Sequence, residues 1–487
     1  MKKLILMMML LMLVFGTASV IYAADEASTT TAVVAGGETK ITLAGELRFR
    51  GEFSSNLKDQ LNDGKKRWDK TTTPAGFSGG SDDHNAYYDG RVRLSIDAKI
   101  GSEVEGFVEL ESGSNNTDIW GWGNAKATDT GARGIFPEGN TKKGELFIRQ
   151  AWIKYTKSLY GLKVGHMPLI LGNGLFFDHT KFGDDAIVVF ADPNKYVHVG
   201  VLAIKLNEQG TNHPDDGDAY VALVTYKDDK GLNLSGDITY VNDQGFSALI
   251  PTYNYAHIWN FAIRGDYMFG AATLRGDLEV QAGKFRGIGN VQDATVDGWA
   301  GLLGLDYKLS GGVPVKLTLE GAYGSGKASD DTSKDVKTFI TSLGNDQHYT
   351  FVYEYKLKSA AGANNTGLAN TLYLKGGAKA EFTKALDGEL NIYWLQAAKK
   401  VALNGGTTVL GAPSVSPSRD LGWEIDTKIT YKIAKNLKYF VEGGYMFTGK
   451  SYDSVVQTRA AGPAGPATYS IERNDAYAIR NGIQLNF

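Results

Sequence analysis

The 487-residue chain contains no cysteine, which excludes disulfides, thiolate metal sites and covalent haem attachment. Its seven histidines are scattered at positions 84, 166, 179, 198, 213, 257 and 348, without the short spacing typical of metal-ligand pairs. The formal net charge of −3 argues against a nucleic-acid binder, because such proteins carry a basic excess. We therefore expect no cofactor, no metal site and no nucleic-acid partner.

Long apolar runs and helical periodicity are also almost absent after the first two dozen residues. Proline is scarce at 11 residues, whereas the chain has 60 glycines, 25 tyrosines, 21 phenylalanines and 8 tryptophans. Polar and apolar residues alternate with a period of two from Thr39 to Phe487. A chain that enters a bilayer without helices must close its sheet into a barrel, since lipid cannot satisfy exposed backbone amides.

The N-terminal residues 1–23 are typical of a secretory signal peptide. Lys2 and Lys3 precede an unbroken apolar run from Leu4 to Phe15, and Ala23 offers a small residue for cleavage before Ala24. An uncleaved membrane anchor is the alternative, because the apolar stretch is just long enough to span. We predict cleavage, then a flexible periplasmic tail over 24–38 and a single outer-membrane β-barrel domain over 39–487.

The segment from residue 40 to 53 shows the alternation most clearly. In a strand, alternate residues lie on opposite faces. An apolar face suits lipid and a charged face suits water, as expected of a transmembrane barrel. The first face comprises Ile41, Leu43, Gly45, Leu47 and Phe49, and the second comprises Thr42, Ala44, Glu46, Arg48 and Arg50.

Short and long connections alternate along the chain, as expected of short periplasmic turns and long external loops. This asymmetry predicts an all-β, antiparallel up-and-down barrel of about eighteen strands, with sixteen as the alternative. The β-like stretch Tyr349 to Lys358 is assigned to a long loop as a hairpin fragment, because counting it would leave an odd total. The predicted strands lie near 40–53, 86–100, 103–112, 145–156, 161–167, 185–191, 196–206, 218–227, 231–242, 256–269, 272–284, 296–309, 313–325, 370–383, 387–397, 420–433, 436–448 and 474–487.

The last predicted strand ends on an aromatic residue, Phe487, which shares one face with Tyr477, Ile479, Ile483 and Leu485. Such an ending resembles the C-terminal recognition strand of outer-membrane proteins of Gram-negative bacteria. It implies the outer-membrane assembly machinery as a partner, besides outer-membrane lipid and lipopolysaccharide. Pairing of this strand with the first would close the barrel and remove both sheet edges. The sequence leaves monomer and trimer open.

Several short motifs resemble the alginate-export family of outer-membrane barrels, alongside general porins. The resemblance implies eighteen strands and a basic constriction for an acidic polysaccharide. The chain departs from the family pattern at His166 and Met167, where Arg-Gln is usual, and at Lys181, where Arg is usual; these departures concern the substrate and leave the barrel unaffected. The motifs are RVRL at Arg91–Leu94, VEGFVEL at Val104–Leu110, RQAWI at Arg149–Ile153, LKVG at Leu162–Gly165, FGDD at Phe182–Asp185 and GWEID at Gly422–Asp426.

Charged residues on the predicted inner face are the candidate pore lining. An arginine ladder facing or pairing with a carboxylate ladder would create a transverse field that selects solutes, and the arginine fork favours anions or acidic sugars. Alternatively, the same charges pair across neighbouring strands and only stabilise the wall. The candidates are Glu46, Arg48, Arg50, Arg91, Arg93, Glu105, Glu109, Arg149, Arg264 and Arg275.

Residues 166–185 depart from strand alternation and are rich in glycine and aromatic residues. They are interpreted either as a constriction loop inside the lumen, with Lys181, Asp184 and Asp185 near the passage, or as a plain external loop. The external loop is slightly favoured.

Together these features predict a passive outer-membrane channel for small or oligomeric hydrophilic solutes, and not an enzyme. One alternative is an outer-membrane hydrolase, since Asp178 and His179 are adjacent, although no serine motif accompanies them. Another is a structural sheath around a partner protein such as an electron-transfer cytochrome.

Overall fold

The structure is a computed structural model. It describes residues 34–36, 39–57, 84–113, 119–121, 145–208, 216–245, 253–328, 331–344, 347–357, 367–403, 415–458 and 468–487. The predicted signal peptide and most of the predicted tail lie outside these residues. Residues 34–36 of that tail form a short strand paired with residues 39–41. The flexibility of the tail stays a prediction.

Within the described ranges, eighteen long strands form one closed antiparallel barrel, and the predicted fold class and strand number are confirmed. The strands are β1 Thr39–Ser55, β2 His84–Ile100, β3 Val104–Gly113, β4 Glu145–Lys157, β5 Tyr160–Met167, β6 Asp184–Asn194, β7 Val197–Asn207, β8 Gly217–Lys227, β9 Leu232–Asp243, β10 Tyr253–Phe269, β11 Ala272–Gly287, β12 Trp299–Leu309, β13 Val315–Gly324, β14 Thr371–Glu381, β15 Leu386–Val401, β16 Ser418–Ala434, β17 Leu437–Thr448 and β18 Ala476–Asn486.

The barrel closes between its first and last strands. Strand β18 pairs with β1 over a register that runs from Glu46 opposite Asn486 to Ser55 opposite Tyr477. This pairing gives the outermost strands a partner each, and so removes the free edges that an open sheet would present. The predicted closing role of the C-terminal strand is confirmed.

The two faces of the wall differ as the alternation predicts. On β10, Phe261 and Ile263 are 43% and 64% exposed, whereas Asn260 and Arg264 between and beside them are 1% and 8% exposed. The exposed face is apolar and turned outward, and the buried face carries the hydrogen-bonding and charged groups. This arrangement is that of a transmembrane barrel, in which lipid contacts the outer face.

The links between strands are short at one end of the barrel and long at the other. At the first end two-residue turns join β4 to β5, β6 to β7, β10 to β11 and β16 to β17. Gly270 and Asn436 in these turns have φ of 63° and 64°, which tight hairpins require. We call this the turn end and the opposite one the loop end.

Residues 351–356 are not the expected hairpin fragment. Phe351–Lys356 forms a single π-helical turn, capped by the Thr350 side chain, which accepts a hydrogen bond from the Glu354 amide. None of the helices in the described ranges has the length and apolarity needed to cross a membrane.

Candidate functional site

Most of the predicted arginines on β1 to β4 form ion pairs with carboxylates of the same wall. Arg50 donates to both oxygens of Asp89 at 2.9 and 3.0 Å, and an Arg91 nitrogen lies 2.6 Å from Glu46. Arg93 pairs with Glu111 and Arg149 with Glu109. Arg48 lies directly opposite Arg91 in the register of β1 and β2.

Arg264 and Arg275 on β10 and β11 are paired in the same way. Arg264 lies 2.6 Å from Asp237 and 3.3 Å from both Asp277 and Glu279. Arg275 lies 2.5 Å from Glu320 and also pairs with Asp306. The geometry at these positions is that of cross-strand pairs within the wall, and selection of solutes by the arginines stays a prediction.

Residues 168–183 lie inside the barrel and contact opposite parts of its wall. Asn173 donates to Asp277 on β11 at 2.9 Å, and a side chain at Gly172 would collide with Arg264. At the other end of the segment, Arg149 on β4 donates to the carbonyls of Thr180 and Lys181 at 2.7 and 3.0 Å. These contacts place the segment against the inner face of the wall, which a plain external loop would not contact; that it constricts a passage stays a prediction.

An apolar cluster fixes this segment against the inner face of neighbouring strands. Near the loop end, several residues of β6 to β8 that are turned toward the interior are buried and apolar, unlike the charged inner faces elsewhere. They form one cluster with the apolar side chains of the segment, so burial of apolar surface holds the insertion. The cluster includes Leu171, Leu175, Phe176, Phe177, Ala186, Leu202, Ile204, Ala219 and Val221.

The three predicted constriction residues have different positions. Lys181 is 9% exposed, and its Nζ lies 5.3 Å from the Phe182 ring centroid. Asp184 is buried and lies 2.8 Å from His179. Asp185 shares the outer face of β6 with Ile187, and its side chain is 74% exposed beside His166. The prediction that Asp185 faces the passage is therefore wrong, because strand alternation turns it outward.

A second luminal segment, described over residues 331–344 and 347–357, contacts β11 and the closing strands. Ile340 exchanges two 2.8 Å hydrogen bonds with the Gln281 side chain on β11. The amides of Val352 and Tyr353 in the π-helical turn donate to Glu424 on β16, at 2.5 and 2.8 Å.

The far end of this segment is fixed by charge. Lys356 donates to both oxygens of Glu52 on β1, at 2.5 and 2.6 Å. Burial lowers the pKa of Lys356 below its ordinary value, and the Glu52 carboxylate acts in the opposite direction. Arg480 on β18 lies 5.0 Å from the Phe351 ring centroid. The π-helical turn thus contacts β1, β16 and β18 around the closing seam.

The two luminal segments are joined to each other, and we call residues 168–183, 331–344 and 347–357 together the luminal bridge. Ser342 and Leu343 pair in parallel with Phe177 and Asp178. The His179 ring lies 3.0 Å from the Ser342 hydroxyl. Both segments also contact the wall, so the bridge links β4 with β11 across the interior and continues to β16 and β1.

Ser342, His179 and Asp184 form a hydrogen-bonded row in the order of an acyl-transfer triad. The carboxylate partner of His179 is Asp184 and not the adjacent Asp178. The Ser342 and Gly344 amides donate to the carbonyls of Phe176 and Asp178, at 2.6 and 2.5 Å. These two amides are therefore not free to stabilise an oxyanion.

A cavity of about 360 Å³ lies between the bridge and the wall of β11 to β15. The rings of Tyr349 and Tyr373 stack there with centroids 4.8 Å apart. Burial raises the pKa of Tyr349 well above its ordinary value, so its hydroxyl stays neutral and donates to the Gly367 carbonyl. Lys375 lines the same cavity, with Nζ 5.5 Å from the Tyr393 ring centroid.

Sequence reasoning missed the lysines of the inner face. Lys154, Lys163 and Lys375 have no carboxylate oxygen within 4.0 Å among the residues that the structure describes. Glu105, a predicted lining residue, lies 3.4 Å from Lys99 instead. No local pattern separates paired arginines from unpaired lysines, because pairing depends on strand register.

Comparison with known proteins gives similarity at the level of structure. No family model matches the chain. No curated protein matches it either. Among solved structures, Pseudomonas aeruginosa OccK5 (OpdH) has 11% identity and a TM-score of 0.48, covering 91% of this chain and 98% of that one.

A BenF-like porin from Pseudomonas fluorescens Pf-5 has 12% identity and a TM-score of 0.48. Pseudomonas aeruginosa OpdL has 9% identity and a TM-score of 0.49. Each match covers 92% of this chain and 98% of the other. These values carry no inference about the solute. The resemblance to the alginate-export family stays a prediction.

Proposed function

We propose that this chain is a passive outer-membrane channel for small hydrophilic solutes, with anions and acidic sugars favoured. The observation that carries the proposal is the two-sided wall of a closed barrel, apolar outside and charged inside. An apolar outer face is stable in hydrocarbon, while a charged inner face is stable only in contact with water or with its own counter-charges.

The preference for anions rests on luminal lysines that have no ion-pair partner within 4.0 Å in the described part of the chain. Most of the candidate arginines are paired with carboxylates, so the field of these charges largely cancels at a distance. Lys154, Lys163 and Lys375 lack such partners in the described part of the chain and leave positive potential in the lumen.

Planar-bilayer recording tests this function. Purified protein inserted from detergent is expected to give discrete conductance steps, and a salt gradient is expected to give a reversal potential of anion-selective sign. Detergent alone and heat-denatured protein are the controls. Silent membranes that contain folded protein would contradict the channel, whereas cation selectivity would contradict only the anion preference.

The two-part luminal bridge argues against a sheath around a protein partner. The bridge occupies the space that an inserted cytochrome would need, and it is held there by hydrogen bonds to β4, β11 and β16. A small solute needs far less space than a protein domain. The channel therefore remains the proposal.

A hydrolase is the second candidate, because Ser342, His179 and Asp184 are aligned. A fluorophosphonate probe distinguishes the two functions. A reactive serine would be labelled in the parent protein and not in Ser342→Ala. We expect no labelling in either, because the neighbouring amides are engaged and the row serves to join the two luminal segments.

Export and insertion complete the proposal. We propose that residues 1–23 are removed on export, and that the outer-membrane assembly machinery recognises the strand ending in Phe487. N-terminal sequencing of protein from outer-membrane fractions tests the first part, with Ala24 as the expected first residue. An intact Met1 would contradict cleavage.

A further inference from the structure

We infer that the inner wall carries a subsite for ring-bearing organic anions near the turn end, formed by Lys154, Lys163, Trp152 and Phe190. We call it the paired-lysine subsite. The inference rests on the proposed channel function and adds a defined place where a solute binds. It is separate from the luminal bridge and from the cavity beside it.

The two lysines are neighbours on the inner face. Lys154 of β4 lies directly opposite Lys163 of β5 in the strand register. Their strand neighbours Ile153 and Leu162 are 65% and 39% exposed on the outer face, so alternation turns both lysines inward. Lys154 and Lys163 lie three residues from the turn 158–159 on either side, about 10 Å into the barrel.

This pair is electrostatically unfavourable on its own, because like charges directly opposite each other destabilise a sheet. Glu105 is the carboxylate directly opposite Lys154 in register. It is shared between cations, because it lies 3.4 Å from Lys99 and also acts on the charge of Lys163 from beyond 4.0 Å, and one carboxylate does not neutralise all of them. Counting all described side chains, no carboxylate oxygen lies within 4.0 Å of either lysine. An anion from the lumen would supply the missing charge.

Aromatic rings flank both ammonium groups. Lys163 Nζ lies 3.9 Å from the Trp152 ring centroid, and Lys154 Nζ lies 5.7 Å from that of Phe190. Trp152 stacks on Phe107 with centroids 5.3 Å apart and planes 16° apart. Phe190 lies close over Gly161, where an added Cβ would be 2.3 Å from the ring. Inward-facing rings beside cations offer a flat apolar surface next to positive charge.

The ligand class follows from this combination. A sulfonate, carboxylate or phosphate group would bind between the two ammonium groups, and a ring attached to it would pack on Trp152 or Phe190. A small anion without a ring gains only the charge contact. A neutral ring gains only the stacking contact. The subsite therefore favours anions that carry a ring over either part alone.

Current block in planar bilayers tests the subsite with benzenesulfonate as the probe and methanesulfonate as the matched anion without a ring. Benzenesulfonate is expected to block the parent channel more strongly than methanesulfonate does. In the double variant Lys154→Gln, Lys163→Gln the blocking affinity is expected to fall about tenfold or more, since charge-assisted contacts are lost. Trp152→Leu is expected to remove the preference for the ring while keeping the weak block by methanesulfonate.

Lys379→Gln on β14 is the control, because it removes one inward-facing lysine far from the subsite. It is expected to leave the block unchanged. Equal block of the parent and the double variant, or equal block by both sulfonates, would overturn the subsite. If no current is observed at all, the channel proposal fails. The subsite is then tested by calorimetry, which compares the binding of benzenesulfonate to the detergent-purified parent with its binding to the double variant.

Discussion

The ring of Phe487, the last residue, lies against Gly45 of the first barrel strand. The two residues exchange backbone hydrogen bonds of 2.7 and 3.0 Å, and a Cβ at Gly45 would be 2.5 Å from the ring and 2.9 Å from the Arg93 carbonyl oxygen. Glycine is needed here because the closing strand approaches so closely. The end of the chain thus completes the barrel at a position without room for a side chain.

Gly45→Val is therefore expected to weaken barrel closure by about 1–3 kcal/mol, the usual cost of overpacking. The measurement is the temperature at which the compact barrel converts to the slower-migrating unfolded form on electrophoresis. Gly106→Val on β3 is the control, because a Cβ there has nothing within 4 Å. An equal shift of the conversion temperature in both variants would mean that packing at the seam between β1 and β18 is no closer than at Gly106.

The ion pair between Arg91 and Glu46 predicts compensating effects on selectivity. Arg91→Gln alone leaves the Glu46 carboxylate uncompensated and is expected to shift the reversal potential toward cations. The double variant Glu46→Gln, Arg91→Gln removes both charges and is expected to restore a value close to the parent. If the double variant shifts as far as the single one, the two charges act separately on the permeating ions.

Substitution of Gly172 tests whether the luminal bridge limits the single-channel conductance. Its φ is 55°, and an added Cβ would lie 1.8 Å from the Arg264 side chain. Gly172→Val is expected to displace residues 168–183 from β10 and β11, and to raise the single-channel conductance above that of the parent.

Gly270→Val is the control for Gly172→Val, because it separates the effect of the collision with Arg264 from the effect of backbone strain at positive φ. Gly270 has a similar φ of 63°, but a Cβ there would have nothing within 4 Å. This variant bears the left-handed strain without touching the bridge, and its conductance is expected to match the parent. Unchanged conductance in Gly172→Val would mean that the segment does not obstruct the passage.

The wall of the barrel could be predicted from sequence because its physics is local. Alternation fixes which residues meet lipid, and turn residues such as Asn436 fix where strands end. The eighteen predicted strands agree with the structure because each of these rules acts over a few residues. The closing contact of Phe487 followed from the same alternation.

The luminal bridge could not be predicted because its contacts are distant in sequence. Phe351–Lys356 alternates like a strand, yet Glu424 and Asp426, more than 70 residues away, accept its first amides and stabilise a helical turn. One sequence feature did point to an apolar interior. On β7, Leu202 and Ile204 face inward while Val201 and Ala203 face outward, so both faces are apolar. A strand of this kind needs an apolar cover inside the barrel.

Single cysteines in this cysteine-free chain test the two-sided wall most directly. In liposomes, a water-soluble maleimide is expected to label Lys379→Cys, whose side chain is turned inward on β14, and not Leu303→Cys, which is 62% exposed on the outer face of β12. A lipid-soluble maleimide should label Leu303→Cys. Rapid labelling of Leu303→Cys by the water-soluble reagent, with Lys379→Cys protected, would contradict the barrel orientation on which the channel rests.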